Sequence, residues 1–152
     1  MARATRRIAR TDDVARHLGR THLETDPETG AVIGVFNTAF DLKVAKTEKS
    51  ASVNHLQHFA GDQASQLTAI KANMTTAGYH VGNRSAYAVV GVGAVEDCGT
   101  RCNATLTIFR KPEAGNPSHS ELRGLPADNS NLDLRESLAQ LAGRRLIGAG
   151  DI

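Results

Sequence analysis

The chain has no tryptophan, and its aromatic side chains number only four phenylalanines and two tyrosines among 152 residues. Large aromatic side chains supply much of the buried area in most domains, so this core must be built from aliphatic residues and alanine. Fourteen glycines raise the entropic cost of ordering the backbone. A lone domain of this composition is expected to be marginal, and partner subunits can supply the missing burial.

Cysteine is equally scarce. Cys98 and Cys102 are the only two, too few for a disulfide scaffold. No apolar run approaches the roughly 18 residues of a membrane span, which argues against a membrane partner. The N-terminus is basic, but no apolar secretory segment follows it. Asp12 and Asp13 also interrupt the acid-poor pattern of a transit helix. A cytoplasmic protein without a secretory signal is the resulting expectation.

What is present fits one domain, long enough to bury roughly two thirds of its unfolded surface. The net charge of +2 is unevenly spread. Residues 1–20 hold six arginines against two aspartates, a local +4, while the remaining 132 residues sum to −2. The expected organisation is a basic arm with a short helix over residues 1–20 and a single α+β domain over 21–152. Arg3, Arg6, Arg7 and Arg10 are the candidate nucleic-acid contacts, because guanidinium groups fork onto phosphate oxygens as lysine cannot.

Local pattern then suggests elements. Thr11 can cap a short helix whose first turn holds Asp12 and Asp13. Residues 21–24 and 31–34 read as a hairpin around Asp26-Pro27-Glu28-Thr29-Gly30, continuing as strand through Phe36, Phe40, Leu42 and Val44. Leu56, Phe59, Leu67, Ile70 and Met74 share a helical face, so the spacing predicts a long helix over 52–76, started by Ser50 or Ser52 and ended by Gly78. Sheet character from Thr68 onward is the competing reading of residues 68–80. Residues 85–95 are apolar on both faces, as in a strand covered on each side. A charged turn and a return strand over 104–109 complete a second hairpin. Residues 111–130 read as a long loop with a helical turn at 121–125. A last helix begins near Asn131 or Asp133 and carries Leu134, Leu138 and Leu141 as a candidate association surface.

The expected fold class is therefore α+β: an antiparallel sheet with amphipathic helices packed on one face, one of them C-terminal. Chemistry is harder to place. His55, His58 and Asp62 fall at spacings that share a helix face, a set able to bind a metal or to act as acid and base. A third ligand would have to come from His80, His119 or further away. Cys98 and Cys102 are close enough in sequence for a disulfide across a turn, or for a mixed site with histidine. The glycine-rich run Val90-Gly91-Val92-Gly93-Ala94 lacks the rest of a nucleotide fingerprint, and no cofactor is implied.

The strand over 87–95, the Cys98-Gly-Thr-Arg-Cys102 turn, the return strand 104–109 and the leucine-bearing helix over 134–141 together resemble the coat proteins of single-stranded RNA bacteriophages. The hairpin at 22–34 suits the same family's N-terminal element. That resemblance implies an antiparallel sheet, a dimer whose C-terminal helices cross the partner's sheet, an icosahedral shell, and binding of an RNA hairpin. It implies location in a virion. The leading expectation is a self-assembling coat or shell subunit that forms homo-oligomers and contacts nucleic acid through a basic arm or face. The alternatives are a small hydrolase or transfer enzyme using His55, His58 and Asp62, with or without a metal, and a monomeric nucleic-acid-binding module.

Overall fold

The computed structural model describes residues 6–152. Its frame is a seven-stranded antiparallel sheet built from β1 (Arg6–Arg7), β2 (Asp13–Leu18), β5 (Ser50–His55), β6 (Ala86–Gly91), β7 (Thr107–Arg110), β8 (His119–Arg123) and β9 (Leu146–Gly148). The spatial order is β1-β7-β8-β5-β2-β6-β9, and every neighbouring pair runs antiparallel. A separate hairpin joins β3 (Leu23–Thr25) to β4 (Val32–Val35). Among the described residues there are three α-helices: α1 (Gln63–Thr76), α2 (Val92–Arg101) and α3 (Leu132–Gly143).

The antiparallel sheet and the C-terminal helix packed on it follow the sequence expectation. Strand β6 shows how the layers are divided, because side chains alternate across a strand. Ala86, Ala88 and Val90 point into a core shared with α2 and α3, where Val92, Val95, Leu134 and Leu138 are buried. Tyr87 and Val89 point to the other face, where Leu67, Ile70 and Met74 of α1 meet Ala15 and Ala149. Helices α2 and α3 thus share one face, while α1 covers part of the opposite one.

The hairpin over 21–34 has the expected turn: Asp26 Oδ1 accepts from the Glu28 and Thr29 amides, and Gly30 adopts φ +72°. The chain beyond it does not extend into a strand. Residues 36–42 form turns, and their apolar members Ala39, Phe40 and Leu42 close one end of the α2/α3 core.

Several expected elements change identity. The short helix after Thr11 is instead strand β2, paired with β6 over six residues and with β5 over two. A two-turn helix carries the full cost of nucleation for few hydrogen bonds, whereas this strand gains ladders on both sides. The N-terminal segment from Arg6 onward is likewise part of the sheet, through β1 and the Ile8 amide, which donates to the Ile108 carbonyl.

The long helix over 52–76 divides. Residues Ser50–His55 form β5, with Ala51 and Val53 turned into the core and five residues paired to β8. A 3₁₀ turn at Leu56–His58 and Gly61 at φ +99° precede α1, whose N-cap is Asp62. Residues 68–76 are helix, and Gly78 follows at φ +95°, where a residue with a Cβ would be strained.

The apolar run 85–95 also divides, at Gly91. Val92, Val95, Cys98 and Gly99 are buried at helical spacing, so α2 follows β6 directly. The cysteine segment is therefore helix, not turn. Strands β6 and β7 are separated in the sheet by β8, β5 and β2, so the second hairpin does not exist. Within residues 111–130, expected as loop, β8 occupies a central position between β7 and β5.

Asn131 caps α3 by accepting from the Leu134 amide at 3.1 Å, and its Nδ2 donates to the Cys102 carbonyl at 2.9 Å. The helix packs on its own sheet. Leu134 and Leu138 are each 1% exposed, and Leu141 packs against the same core. The stripe expected to form an association surface is therefore spent inside the chain.

Candidate functional site

The expected site residues do not converge. Arg3 lies outside the described residues. Arg6 is exposed on the edge strand β1. Arg7 and Arg10 each donate to the buried Glu96 carboxylate at 2.9 Å, and Arg10 also reaches Asp97 at 3.0 Å. Two of the four arginines assigned to nucleic acid thus clasp α2. Their partners, Glu96 and Asp97, carry opposite charge 86 or more residues away in sequence, which no local pattern signals.

His55 ends β5 and pairs through Nε2 with Asp12 Oδ2 at 2.8 Å, while its Nδ1 is buried without a partner. His58 stands edge-on against Phe59. Asp62 accepts from the Ser65 amide at 2.9 Å, a bond that holds its carboxyl below the ordinary range. Because β5 and α1 are separate elements, the helix face that would have united the three is absent. Among the described residues, no group of three or more His, Cys, Asp or Glu side chains is arranged to hold a metal ion. Cys98 and Cys102 are free thiols one helical turn apart, both turned toward Ser137 of α3.

Polar side chains do gather elsewhere, in a cavity of about 400 Å³ at the end of β2. Its origin lies in the sheet. Strands β2 and β5 pair at Val14–His55 and Ala15–Asn54 and then part. Arg16 bridges the opening: its Nε donates to the Ala39 carbonyl at 3.1 Å and its Nη1 to the Ser52 carbonyl at 2.8 Å, with the guanidinium over the Phe40 ring. Burial lowers its pKa from the ordinary arginine value. No carboxylate lies within ion-pair distance of it among the described residues, and Glu48, which lines the same cavity, acts on it at longer range.

The cavity floor is polar and poorly satisfied. Asn116 is 0% exposed, and neither its Nδ2 nor its Oδ1 has a partner. The amide of buried Asn54 donates to Met74 Sδ at 3.5 Å, and the Tyr87 hydroxyl donates to the same sulfur at 3.3 Å. A thioether is a weak acceptor, so these donors gain little from it. Buried polar groups left in this condition cost stability, and a polar ligand or water in the cavity relieves that cost.

Two histidines on the wall have tautomers dictated by their neighbours. Ser85 Oγ donates its single proton to the Gly82 carbonyl at 2.6 Å, so at 2.8 Å from His17 it accepts, and the proton of neutral His17 sits on Nε2. Burial, assisted by Arg16 and His80, holds His17 below the ordinary histidine value. His119 is the mirror case. Its Nδ1 must donate to the Lys111 carbonyl at 2.8 Å, which leaves Nε2 of the neutral ring to accept from Ser52 Oγ at 3.1 Å. Glu113 Oε1 lies 3.8 Å from the same Nε2 and accepts from the Tyr79 hydroxyl at 2.6 Å. His22, bonded to Thr38 and depressed chiefly by burial, completes the histidine wall.

A larger cavity of about 660 Å³, against β9 and the β3–β4 hairpin, is lined by Arg20 and Arg84 but holds no histidine and none of the unpartnered buried atoms. The chain matches no family model, and comparison with curated proteins and with solved structures returned no match. The reading of the site therefore stands on its geometry. Sequence reasoning named His119 only as a distant third ligand and Ser52 only as a helix start. It did not mark Arg16, His17 or Asn116 as site residues, since they converge through pairing of strands far apart in the chain.

Proposed function

We propose that the protein binds a small, polar molecule bearing an oxyanion, a carboxylate or a phosphate, in the cavity at the end of β2. The observation that carries this reading is Arg16, a half-buried guanidinium that lines the cavity with no carboxylate in ion-pair contact among the described residues, Glu48 of the same cavity acting on it only at longer range. A partly desolvated cation without an ion-pair contact is costly, and an anionic ligand offsets that cost. Asn116 supports the same reading, because it lines the cavity with an amide that no protein group satisfies, which favours any shift of the cavity wall that brings it to a polar ligand. With burial holding His17 and His22 low, those rings present neutral donors and acceptors near pH 7.

Amide NMR titration with inorganic phosphate and, separately, with succinate tests this. Saturable shifts at Arg16, His17, Asn54 and Asn116 are expected with at least one of the two, and the stronger arm identifies the anion class. Absence of saturable shifts with both at millimolar concentration sinks the reading.

A second reading, the self-assembling subunit, draws on a different feature. Val32, Ile33 and Phe36 are 44%, 61% and 45% exposed on and beside β4. Ile33 and Phe36 line a groove against α3 that also carries Glu24, Glu136 and Arg144, opposite charges that suit a twofold contact between copies. Light scattering at micromolar concentration tests it: Ile33→Asp with Phe36→Asp should convert an oligomer to monomer, and a monomeric parent protein sinks it.

A further inference from the structure

We infer that Ser52 is a nucleophile and His119 its general base, and that the cavity hydrolyses small carboxylic esters that carry a second, anionic group. The inference rests on the cavity's binding of an oxyanion. Its foundation is the ordered pair of hydrogen bonds at His119. The Lys111 carbonyl takes the Nδ1 proton, so the Nε2 lone pair faces the Ser52 hydroxyl at 3.1 Å. A nucleophilic serine needs this arrangement: a base in hydrogen-bond reach, itself oriented by a third group.

Accessibility divides the pair usefully. Ser52 is exposed at the cavity, whereas His119 is only 6% exposed. The hydroxyl can meet a substrate while the ring keeps its orientation. Arg16 fixes the strand carrying the nucleophile through the Ser52 carbonyl, and its Nη2 is left to meet the substrate's anionic group. Glu113 Oε1, 3.8 Å from Nε2, opposes the positive charge that the ring acquires when it takes the serine proton. Asn54, whose Nδ2 donates only to the weakly accepting Met74 sulfur, and Asn116, whose Nδ2 has no partner, line the same cavity and are the amide donors open to a developing oxyanion once its wall shifts to admit them.

The step balances without a co-reactant other than water. Ser52 Oγ bonds to the acyl carbon as its proton passes to His119 Nε2. The C–O bond to the alcohol then breaks, and the alcohol leaves with that proton. Water next gives a proton to Nε2 and attacks the acyl carbon, and Ser52 Oγ leaves with the proton restored.

Mono-p-nitrophenyl succinate and p-nitrophenyl acetate are the probes, each rate divided by its own protein-free hydrolysis because the succinate carboxylate also attacks its own ester, with a fluorophosphonate as the covalent label. The succinate ester is expected to react faster by about ten-fold or more, the worth of one charge-assisted contact. Ser52→Ala should reduce the rate at least about a hundred-fold. The label should add to the peptide bearing Ser52 and fail to add in His119→Gln. Ser52→Ala changes an exposed side chain, so it decides the question if His119→Gln does not fold. Hydrolysis unchanged in Ser52→Ala, or no label on Ser52, overturns the inference. If phosphate or succinate still shifts the cavity amides in that case, the nucleophile alone is refuted; if neither does, the binding reading falls with it.

Discussion

The Tyr79 hydroxyl donates a 2.6 Å hydrogen bond to Glu113 Oε1, tying the segment after α1 to the loop before β8. Burial and then this carboxylate push the Tyr79 phenol up to about 12, and burial alone does the same to Tyr87. These are the only tyrosines, and no tryptophan overlaps their absorbance. An ordinary tyrosine is about nine-tenths ionised at pH 11, so an ultraviolet titration that detects little phenolate at that pH is the expected result. Because the folded values lie above the unfolded ones, stability is intact below about pH 10 and declines as the pH rises toward 12. Full, reversible ionisation of the buried Tyr87 by pH 11 contradicts its packing, and that of the 37% exposed Tyr79 contradicts its bond to Glu113.

On the acid side the histidines set the direction. His17, His22 and His58 are all held below the ordinary value, with burial the first cause in each. The unfolded chain therefore takes up protons first as the pH falls through about 6.5, and stability drops until the folded values are reached. Each group contributes at most about 1.4 kcal/mol per pH unit to that slope. Thermal melts between pH 7.5 and 5 should show the loss, and His17→Gln should flatten it. A melting temperature that does not fall over that interval refutes the assignment.

How much of this was legible in the sequence depends on how local each signal is. The Asp26–Gly30 turn, the apolar β6, the body of α1 and the cap of α3 rest on residues within a few positions of one another, and they were readable. Strand β8 was not. Its sequence, His-Ser-Glu-Leu-Arg, offers only Leu122 as a large apolar side chain, since its other face is polar and belongs to the cavity side of the sheet. The division of 85–95 into strand and helix was hidden because valines at 92 and 95, three apart, fit one face of a helix and equally the two faces of a strand buried on both sides. The site depends on partners 67 residues apart, as in Ser52 with His119, and periodicity carries no information at that range.

Leu138 separates two accounts of α3. As part of an association surface, its truncation would weaken a complex and leave the protomer's stability nearly unchanged. Buried at 1% exposure beside Leu134, it should instead lose about 2–5 kcal/mol of folding stability on change to alanine, with no change in oligomeric state. Urea denaturation and light scattering on the same variant decide between them. Asn131→Ala should cost the same helix about 1–2 kcal/mol, because it removes the cap and leaves the Cys102 carbonyl without its donor.

Arg16 joins the fold to the cavity, so its variants separate structure from binding. Arg16→Met keeps an apolar stem over Phe40 but removes both donors, leaving the Ala39 and Ser52 carbonyls unpaired where β2 and β5 part. A loss of about 1 kcal/mol is expected for acceptors that are only partly shielded from water, together with loss of phosphate or succinate binding. Arg16→Lys keeps the charge, but one ammonium cannot reproduce the planar fork that reaches both carbonyls. It should retain weak anion binding while still opening the strands, seen as faster amide hydrogen exchange at Val53 and Asn54. If Arg16→Met binds the anions as tightly as the parent while its stability falls, the guanidinium serves the sheet alone.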